Sequence, residues 1–337
     1  MQKRKSIVLL AVLMCTLIFT GCQTGRPEGI PPQEPPPEVK IVQNVLSLQS
    51  LPLYAAIEKG CFQKANLTVA VTTTWNQAES TAKLQDGTHQ IMLGGPETVF
   101  FLRQQEKNPQ VLLIAQASVA NGYYLLARKT QNPFAWQSLK NKIVIGCREG
   151  ELPEIIFENI LKKNDLRPFD SLQLVNNLSP LVTPGAYQAG TGDYLLACEP
   201  YAARLEKANT AQIVSSLSAS DGTLLTSGFM VTHEFLQTNP EICREFVQAL
   251  AQALHWVESS PPEELVPVAK KMFPTDDEST LLRAVSRYKN LGLWPSSPIV
   301  DEVNLQHVQT LLWEEKELNA KLSLKLLYEN PSEPEQP

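Results

Sequence analysis

Short apolar runs alternate with amphipathic segments along the chain after residue 40. The apolar runs are rich in β-branched residues and are bounded by turn residues, which indicates buried strands at 41–48, 67–73, 89–93 and 111–117. Helical periodicity fills the intervals, with predicted helices that follow Ser50 and end at Gly60, and at 77–85 and 98–105. Strands that alternate with helices predict an α/β lobe.

The same alternation resumes after a strand at 123–128. Further strands are predicted at 142–145, 172–175, 194–198, 212–216 and 228–232, with helices at 152–163 and 200–208. Only helices follow, at 240–257, 263–272, 278–291 and 301–319. We therefore expect two αβ lobes, the first from 40–128 together with 230–330, including the helical tail, and the second from 129–229.

A weak internal repeat relates the two lobes. Gln85, Gly87, Thr88 and Leu93 recur 103 residues later as Gln188, Gly190, Thr191 and Leu196. Each copy ends a strand in a loop that opens a helix, and chance matching among common residues is the alternative. Ligands bind at the carboxyl ends of strands in open α/β sheets, so two such lobes predict a cleft between them.

The N-terminal residues have the pattern of an export signal rather than of a segment of the folded domain. Lys3, Arg4 and Lys5 precede an apolar run at 7–19 that is short for a membrane span, which is typical of a signal peptide over 1–21. The run ends in Phe-Thr-Gly before Cys22, and this resembles the lipobox of bacterial lipoproteins, in which the cysteine is acylated. A plain signal peptide or signal anchor with an incidental cysteine is the alternative. Clustered prolines predict an extended tether over 22–39, so we expect a lipid-anchored protein on the extracytoplasmic face of the membrane.

Charge and cysteine content exclude several classes of protein. The 337 residues include 29 Lys and Arg against 35 Asp and Glu, a net charge of -6 with scattered basic residues, which argues against nucleic-acid binding. Six cysteines without a CxxC pair or a Cys/His cluster argue against a disulfide scaffold and a zinc site. We expect a monomer without a metal or a cofactor.

Several short segments, in their order and spacing, resemble the substrate-binding proteins of ABC importers for nitrate, sulfonates, taurine and thiamine-pyrimidine precursors. These segments are PLYAAIEKG at 52–60, LQDG at 84–87, SLKNKIVIG at 138–146, LKKN at 161–164, EPY at 199–201 and FLQTNP at 235–240. The resemblance implies a type II periplasmic-binding-protein fold whose two lobes are joined by crossover strands near 126–130 and 229–232. It also implies a small-molecule solute, lobe closure, and an ABC permease and ATPase as partners.

Position at strand ends then gives the candidate ligand contacts. From the first lobe they are Ser47, Gln49, Pro52, Trp75, Gly95, Glu97, Gln116 and Ser118, and from the second Cys147, Arg148, Glu149, Gly150, Glu199 and Tyr201. Trp75 offers a flat apolar face and an indole N–H, or is a half-buried surface residue. Arg148 and the start of the helix at 152 form an anion site, or else Glu151 and Glu154 simply stabilise the helix dipole.

Charge in the cleft bears on the ligand and on catalysis. Glu97 and Glu199 have three possible roles: acceptors for an amino group, helix caps, or an acid and base. Two carboxylates disfavour an inorganic anion, so we expect a sulfonate or taurine-like solute or a nitrogenous heterocycle. The related thiamine-pyrimidine synthase has a CCCFC stretch that is missing here, and Cys147 and Cys198 are expected to be apolar fillers, so we expect no enzyme. A binding protein that feeds a sensor is a further alternative.

Overall fold

The computed structural model describes residues 36–106, 110–128, 133–218 and 223–331. The predicted signal peptide, the predicted lipidation site Cys22 and most of the predicted tether lie outside these residues. Within the described ranges, no helix combines the length and the apolar character needed to cross a membrane.

Ten described strands form two five-stranded sheets. They are β1 Glu38–Gln43, β2 Thr68–Thr73, β3 Ile91–Gly94, β4 Val111–Ser118, β5 Tyr123–Ala127, β6 Ile143–Ile145, β7 Gln173–Val175, β8 Tyr194–Cys198, β9 Gln212–Ser216 and β10 Ser227–Thr232. The first sheet has the order β2-β1-β3-β10-β4 and the second the order β7-β6-β8-β5-β9. In each sheet four strands run in the same direction, and the fifth, β10 or β5, is antiparallel to both of its neighbours.

Twelve described α-helices cover the sheets and form the tail. They are α1 Leu51–Glu58, α2 Cys61–Lys64, α3 Gln77–Gln85, α4 Glu97–Gln104, α5 Leu152–Lys163, α6 Thr183–Gln188, α7 Tyr201–Lys207, α8 His233–Thr238, α9 Pro240–Ser259, α10 Pro262–Met272, α11 Glu278–Asn290 and α12 Glu302–Glu314. The start of α3 is fixed by Asn76, whose side chain accepts a hydrogen bond from the backbone N–H of Glu79.

Strand β5 belongs to the second sheet, whereas the predicted lobe limits placed it in the first lobe. We predicted residues 123–128 as the end of the first lobe, but β5 pairs with β8 and β9 in the second sheet. The chain therefore passes between the sheets at 119–122, and it returns between β9 and β10. Strand pairing is non-local, so the local apolar pattern of β5 holds no information about which sheet it joins.

The tail helices contact both lobes. Helix α9 packs on α1, α2 and β4 of the first lobe, where Phe246 stacks on Phe62 with ring centroids 5.2 Å apart. Helix α11 packs on α7 of the second lobe, and α12 packs on α4 and on α5. The tail thus connects the two lobes in addition to the crossing segments.

Candidate functional site

The loops that follow the strands of the two sheets meet across a closed cleft. The backbone N–H of Leu48, after β1, donates to the carbonyl of Glu199, after β8, at 3.0 Å. The hydroxyl of Tyr201 donates to the carbonyl of Leu46 at 3.1 Å. Each bond joins the first lobe to the second, so the structure shows the closed arrangement of the lobes.

A cavity of about 50 Å³ remains inside this closed cleft. Four of the residues predicted from the sequence line it: Ser47, Gln49, Gly95 and Glu97. The sequence analysis did not propose as ligand contacts the other polar side chains that line the cavity, which include Asn44, Gln77, Tyr123, Glu151 and Ser227. None of the described residues that line this cavity is basic.

Glu97 is the most unusual side chain of the cavity. It is fully buried, and its Oε1 accepts a hydrogen bond from Gln77 Nε2 at 2.9 Å. Its Oε2 has no hydrogen-bond partner among the described residues. A buried acceptor without a partner is rare in proteins and calls for a specific explanation.

The carboxyl group of Glu97 lies between Gly95 and the start of α5. A Cβ on Gly95 would be 2.2 Å from Glu97 Oε2, so only glycine leaves room for this arrangement. Burial raises the pKa of Glu97, while the hydrogen bond from Gln77 and, to a smaller extent, the nearby backbone N–H groups of Glu97 itself and of Leu152 at the start of α5 lower the pKa. Glu97 of the first lobe therefore faces the helix N-terminus where we predicted an anionic ligand.

Glu151 adds a second carboxyl group from the opposite lobe. Burial and, next, the charge of Glu97 raise its pKa to about 7, and the charge of Arg148 opposes this rise. Both carboxyl groups thus hold protons more readily than an exposed glutamate. The lining supplies carboxyl oxygens as acceptors and no basic residue among the described ones, which favours a group that donates hydrogen bonds over a simple anion.

The neighbours of Glu151 that we predicted as contacts do not line the cavity. Arg148 is half-buried and Glu149 is exposed. Gly150 has a φ of +78°, in the left-handed region, and its N–H donates to Glu154 Oε2 at 3.3 Å. The structure therefore places this loop beside the cavity, with Glu151 as the residue that reaches it.

The two cleft cysteines are buried and uncharged at neutral pH. Burial raises the pKa of the Cys147 thiol well above its usual value and raises that of Cys198 to about 12, although hydrogen bonds that involve Tyr123 lower both. A thiolate is the nucleophilic form of cysteine, so these thiols are poorly suited to catalysis.

Glu199 interacts with the tail rather than with the cavity. Its carboxylate accepts hydrogen bonds from Arg287 Nη1 at 2.9 Å and from the N–H of Ala203 at 3.0 Å. Its own N–H donates to Tyr288 Oη at 2.7 Å. Glu97, after β3, and Glu199, after β8, thus have different environments: Glu97 lines a cavity, and both carboxylate oxygens of Glu199 are hydrogen-bonded.

The remaining predicted contacts also lie outside the cavity lining. Gln116 donates to the carbonyl of Ser297 at 3.0 Å, and Ser118 Oγ hydrogen-bonds with Ser227 Oγ at 2.6 Å. Pro52 is buried in α1, and Trp75 is half-buried with a φ of +60°. The closed structure does not bring Trp75 to the cavity.

Comparison with known proteins identifies the family. Residues 47–264 match the family model described as "NMT1/THI5 like", and the chain belongs to this family. It is 29% identical over 281 residues to the "Putative binding protein YtlA" of Bacillus subtilis, covering 83% of this chain and 84% of that protein.

Two solved structures show the same fold. One is the ligand-binding component of an ABC-type import system from Staphylococcus aureus with zinc bound, at a TM-score of 0.72 and 14% identity, covering 87% of this chain and 96% of that one. The other is the alkanesulfonate-binding protein SsuA from Xanthomonas axonopodis bound to MOPS, at a TM-score of 0.69 and 14% identity, covering 88% and 99%. The predicted type II periplasmic-binding-protein fold with two αβ lobes is confirmed, but the chain crosses between the lobes at 119–122 and between β9 and β10, not near 126–130 and 229–232 as we predicted.

Proposed function

We propose that this protein is an extracytoplasmic, lipid-anchored solute-binding protein that captures a small molecule by lobe closure and delivers it to an ABC importer. The observation that carries the proposal is the cavity enclosed between strand-end loops of both lobes, with the unpartnered Glu97 Oε2 belonging to a residue that lines it. The family and the binding proteins of the same fold support it.

Closure is the step that couples binding to delivery. Opening the lobes would expose Glu97 and Glu151 to water, whereas closing them without a ligand leaves Glu97 Oε2 buried and unpaired. An unpaired buried polar group costs about 1–3 kcal/mol. A ligand that donates a hydrogen bond to this oxygen removes the cost only in the closed form, and so it shifts the equilibrium towards closure.

The same argument favours a solute with an amino or ring N–H group. Such a group donates to Glu97 in the closed form, where the cavity has no basic residue among its described lining residues to attract a simple anion. A taurine-like zwitterion or an aminopyrimidine-like heterocycle meets these requirements, and nitrate does not. We rank solutes of these two kinds above inorganic anions.

A thermal-shift experiment tests the function on the chain from Pro36 onward. The panel contains taurine, ethanesulfonate, an aminopyrimidine and nitrate; ethanesulfonate is taurine without the amino group that would donate to Glu97. A ligand at 100 times its dissociation constant adds about 2.7 kcal/mol to stability. We expect taurine or the aminopyrimidine to raise the melting temperature, with ethanesulfonate and nitrate inactive.

Two variants make the result specific to the cleft. Glu97→Gln should abolish the ligand-induced shift, whereas Glu79→Gln, at an exposed position on α3, should preserve it. A ligand that is consumed would indicate an enzyme. A response to nitrate alone would retain the binding function and overturn the proposed solute class.

A further inference from the structure

A second and larger cavity lies beside the segments where the chain crosses between the lobes. Its volume is about 210 Å³, and it shares no lining residue with the cleft cavity. We call it the hinge cavity: its walls come from α5 and α12, and residues on both crossing segments complete it, including Ala120, Asn121 and Leu224. An apolar cavity of about 150 Å³ holds benzene in another protein, so a single-ring molecule fits this volume.

Part of the wall of the hinge cavity is apolar, since six of its fourteen described lining residues have apolar side chains. Ile156 and Ile160 of α5 face Leu311 of α12, and Leu217 and Leu224 lie on the returning segment. The rim is polar and of mixed charge, with His307, Lys163 and Glu314. The surroundings suit a solute with an apolar body.

Asn121 supplies a hydrogen-bond donor that the protein itself does not use. The residue is 5% exposed, and its Oδ1 accepts a hydrogen bond from the N–H of Tyr123 at 2.9 Å. That bond fixes the orientation of the amide, since only the oxygen can accept it. The other end, Nδ2, has no partner among the described residues.

The position of this unpaired atom is informative. Among the described residues, two buried side-chain atoms lack a hydrogen-bond partner, Glu97 Oε2 and Asn121 Nδ2. Each belongs to a residue that lines one of the two cavities between the lobes. Buried polar groups are otherwise paired almost without exception in proteins, so an unpaired donor beside a cavity indicates a missing acceptor.

We propose that the hinge cavity is a second small-molecule site, distinct from the cleft, for a solute that joins an apolar body to a hydrogen-bond acceptor such as a carboxylate or carbonyl oxygen. The acceptor receives the Asn121 Nδ2 hydrogen, and the apolar body lies between α5 and α12. A molecule bound there contacts the second lobe, the tail and both crossing segments. It therefore stabilises the closed lobes, and by linkage each site raises the affinity of the other.

The test uses benzoate and benzylammonium, which share a ring but differ in whether the polar end accepts or only donates hydrogen bonds. In the full chain labelled with ¹⁵N, we expect benzoate to shift the side-chain NH₂ resonances of Asn121 saturably, with a dissociation constant on the order of 1 mM. Benzylammonium should bind at least about tenfold more weakly, because it offers no acceptor. Asn121→Asp identifies the resonances by removing them.

Three variants locate the binding. Thr310→Phe fills the cavity from α12 and should weaken benzoate at least about tenfold, whereas Val303→Phe, on the same helix at a position outside the lining, should not. Asn121→Asp keeps the acceptor for the Tyr123 N–H, removes the donor, and should also lose benzoate.

Three outcomes would overturn the second site. They are resonances that stay unmoved at about ten times the expected dissociation constant, equal binding of the two probes, and benzoate binding that Thr310→Phe leaves unchanged. Because the cleft and its ligands take no part in this measurement, its failure leaves the proposed transport function intact.

Discussion

At the scale of single residues, the chemistry of the cleft depends on how the Glu97 carboxyl group is held. It folds over Gly95, where a side chain would collide with both carboxylate oxygens, and it faces Glu151 of the other lobe. Gly95 therefore determines the position of the Glu97 carboxyl group, which is the acceptor of the site.

Gly95→Ala should displace the Glu97 carboxyl group and weaken solute binding. Loss of one hydrogen bond to a charged group costs about 1.5–3 kcal/mol, which corresponds to at least about tenfold in affinity. Isothermal titration calorimetry with the solute identified by the thermal-shift panel measures this change. Gly185→Ala is the matched control, because a Cβ there meets no atom within 4 Å; equal affinities in the two variants would contradict the assignment.

Glu151 should make the stability of the ligand-free protein depend on pH. Its pKa in the folded protein is raised to about 7, so between its unfolded pKa, about 4.3, and about pH 7 the folded state binds more protons than the unfolded state. Stability contributed by the bound proton is complete below this window and is lost as the pH rises through it. The melting temperature should therefore fall from about pH 5 to about pH 7.5.

Glu151→Gln should reduce that fall, since the variant has no carboxyl group to titrate at this position. Glu149→Gln, at the exposed position two residues earlier, should retain the wild-type slope. Part of the dependence should survive in Glu151→Gln, because burial raises the pKa of Glu97 and of Glu154 in the same direction. Identical slopes in the wild type and Glu151→Gln would refute the assigned role.

At the scale of elements, helix α11 of the tail completes the second lobe. Arg287 pairs with the fully buried Glu199 at 2.9 Å and also pairs with Glu206 of α7. Tyr288 donates to the carbonyl of Gly122 at 2.8 Å and accepts from the N–H of Glu199. One turn of α11 therefore holds the crossing segment and the loop after β8 in place.

Arg287→Met should destabilise the protein by about 3–5 kcal/mol, because it leaves Glu199 buried without its counter-ion. Arg283→Met, on the same helix, should cost less than about 1 kcal/mol, since Arg283 is 56% exposed and lies 3.9 Å from Glu206. Urea denaturation measures both changes. Similar losses in the two variants would show that Glu199 does not depend on Arg287.

At the scale of the whole molecule, closing the lobes buries two polar atoms that the described residues themselves do not pair, Glu97 Oε2 and Asn121 Nδ2. We therefore expect the ligand-free protein to populate an open form in solution and the ligand to close it. The two lobes are connected by the two crossing segments and by the tail, which contacts both.

Small-angle X-ray scattering should detect this equilibrium as a decrease in the radius of gyration when ligand is added. Glu97→Gln should decrease it even without ligand, because a neutral amide costs less to bury than a carboxylate. Glu79→Gln should scatter like the wild type. A ligand-free radius equal to the liganded one would mean that closure is not linked to binding.

The sequence predicts most elements and part of the cleft. Strand ends and helix starts are local features, so Ser47, Gln49, Gly95 and Glu97 could be named from pattern alone. Tyr123 was missed because its strand was assigned to the other lobe. Glu151 was read as a helix-dipole residue, although its position before α5 is the signal that could have identified it.

Other features depend on partners that are distant in the sequence. Local pattern predicted an anion site at Arg148 and the start of α5, but Glu97 of the opposite lobe faces that helix end in the closed form. Likewise, Glu199 was a cleft candidate because of its position at a strand end, and its actual partner, Arg287, lies 88 residues later in the tail. Charge pairing between lobes has no periodicity that a sequence pattern can show.

The ion pair between Glu199 and Arg287 also crosses the boundary of the region that matches the family model. The match ends at residue 264, so the glutamate lies inside it and its arginine lies outside. A fragment that ends at residue 264 would retain all ten described strands, yet it would bury the charge of Glu199 in its second lobe without a counter-ion. During synthesis, the second lobe likewise has an unneutralised buried charge until residue 287 has emerged.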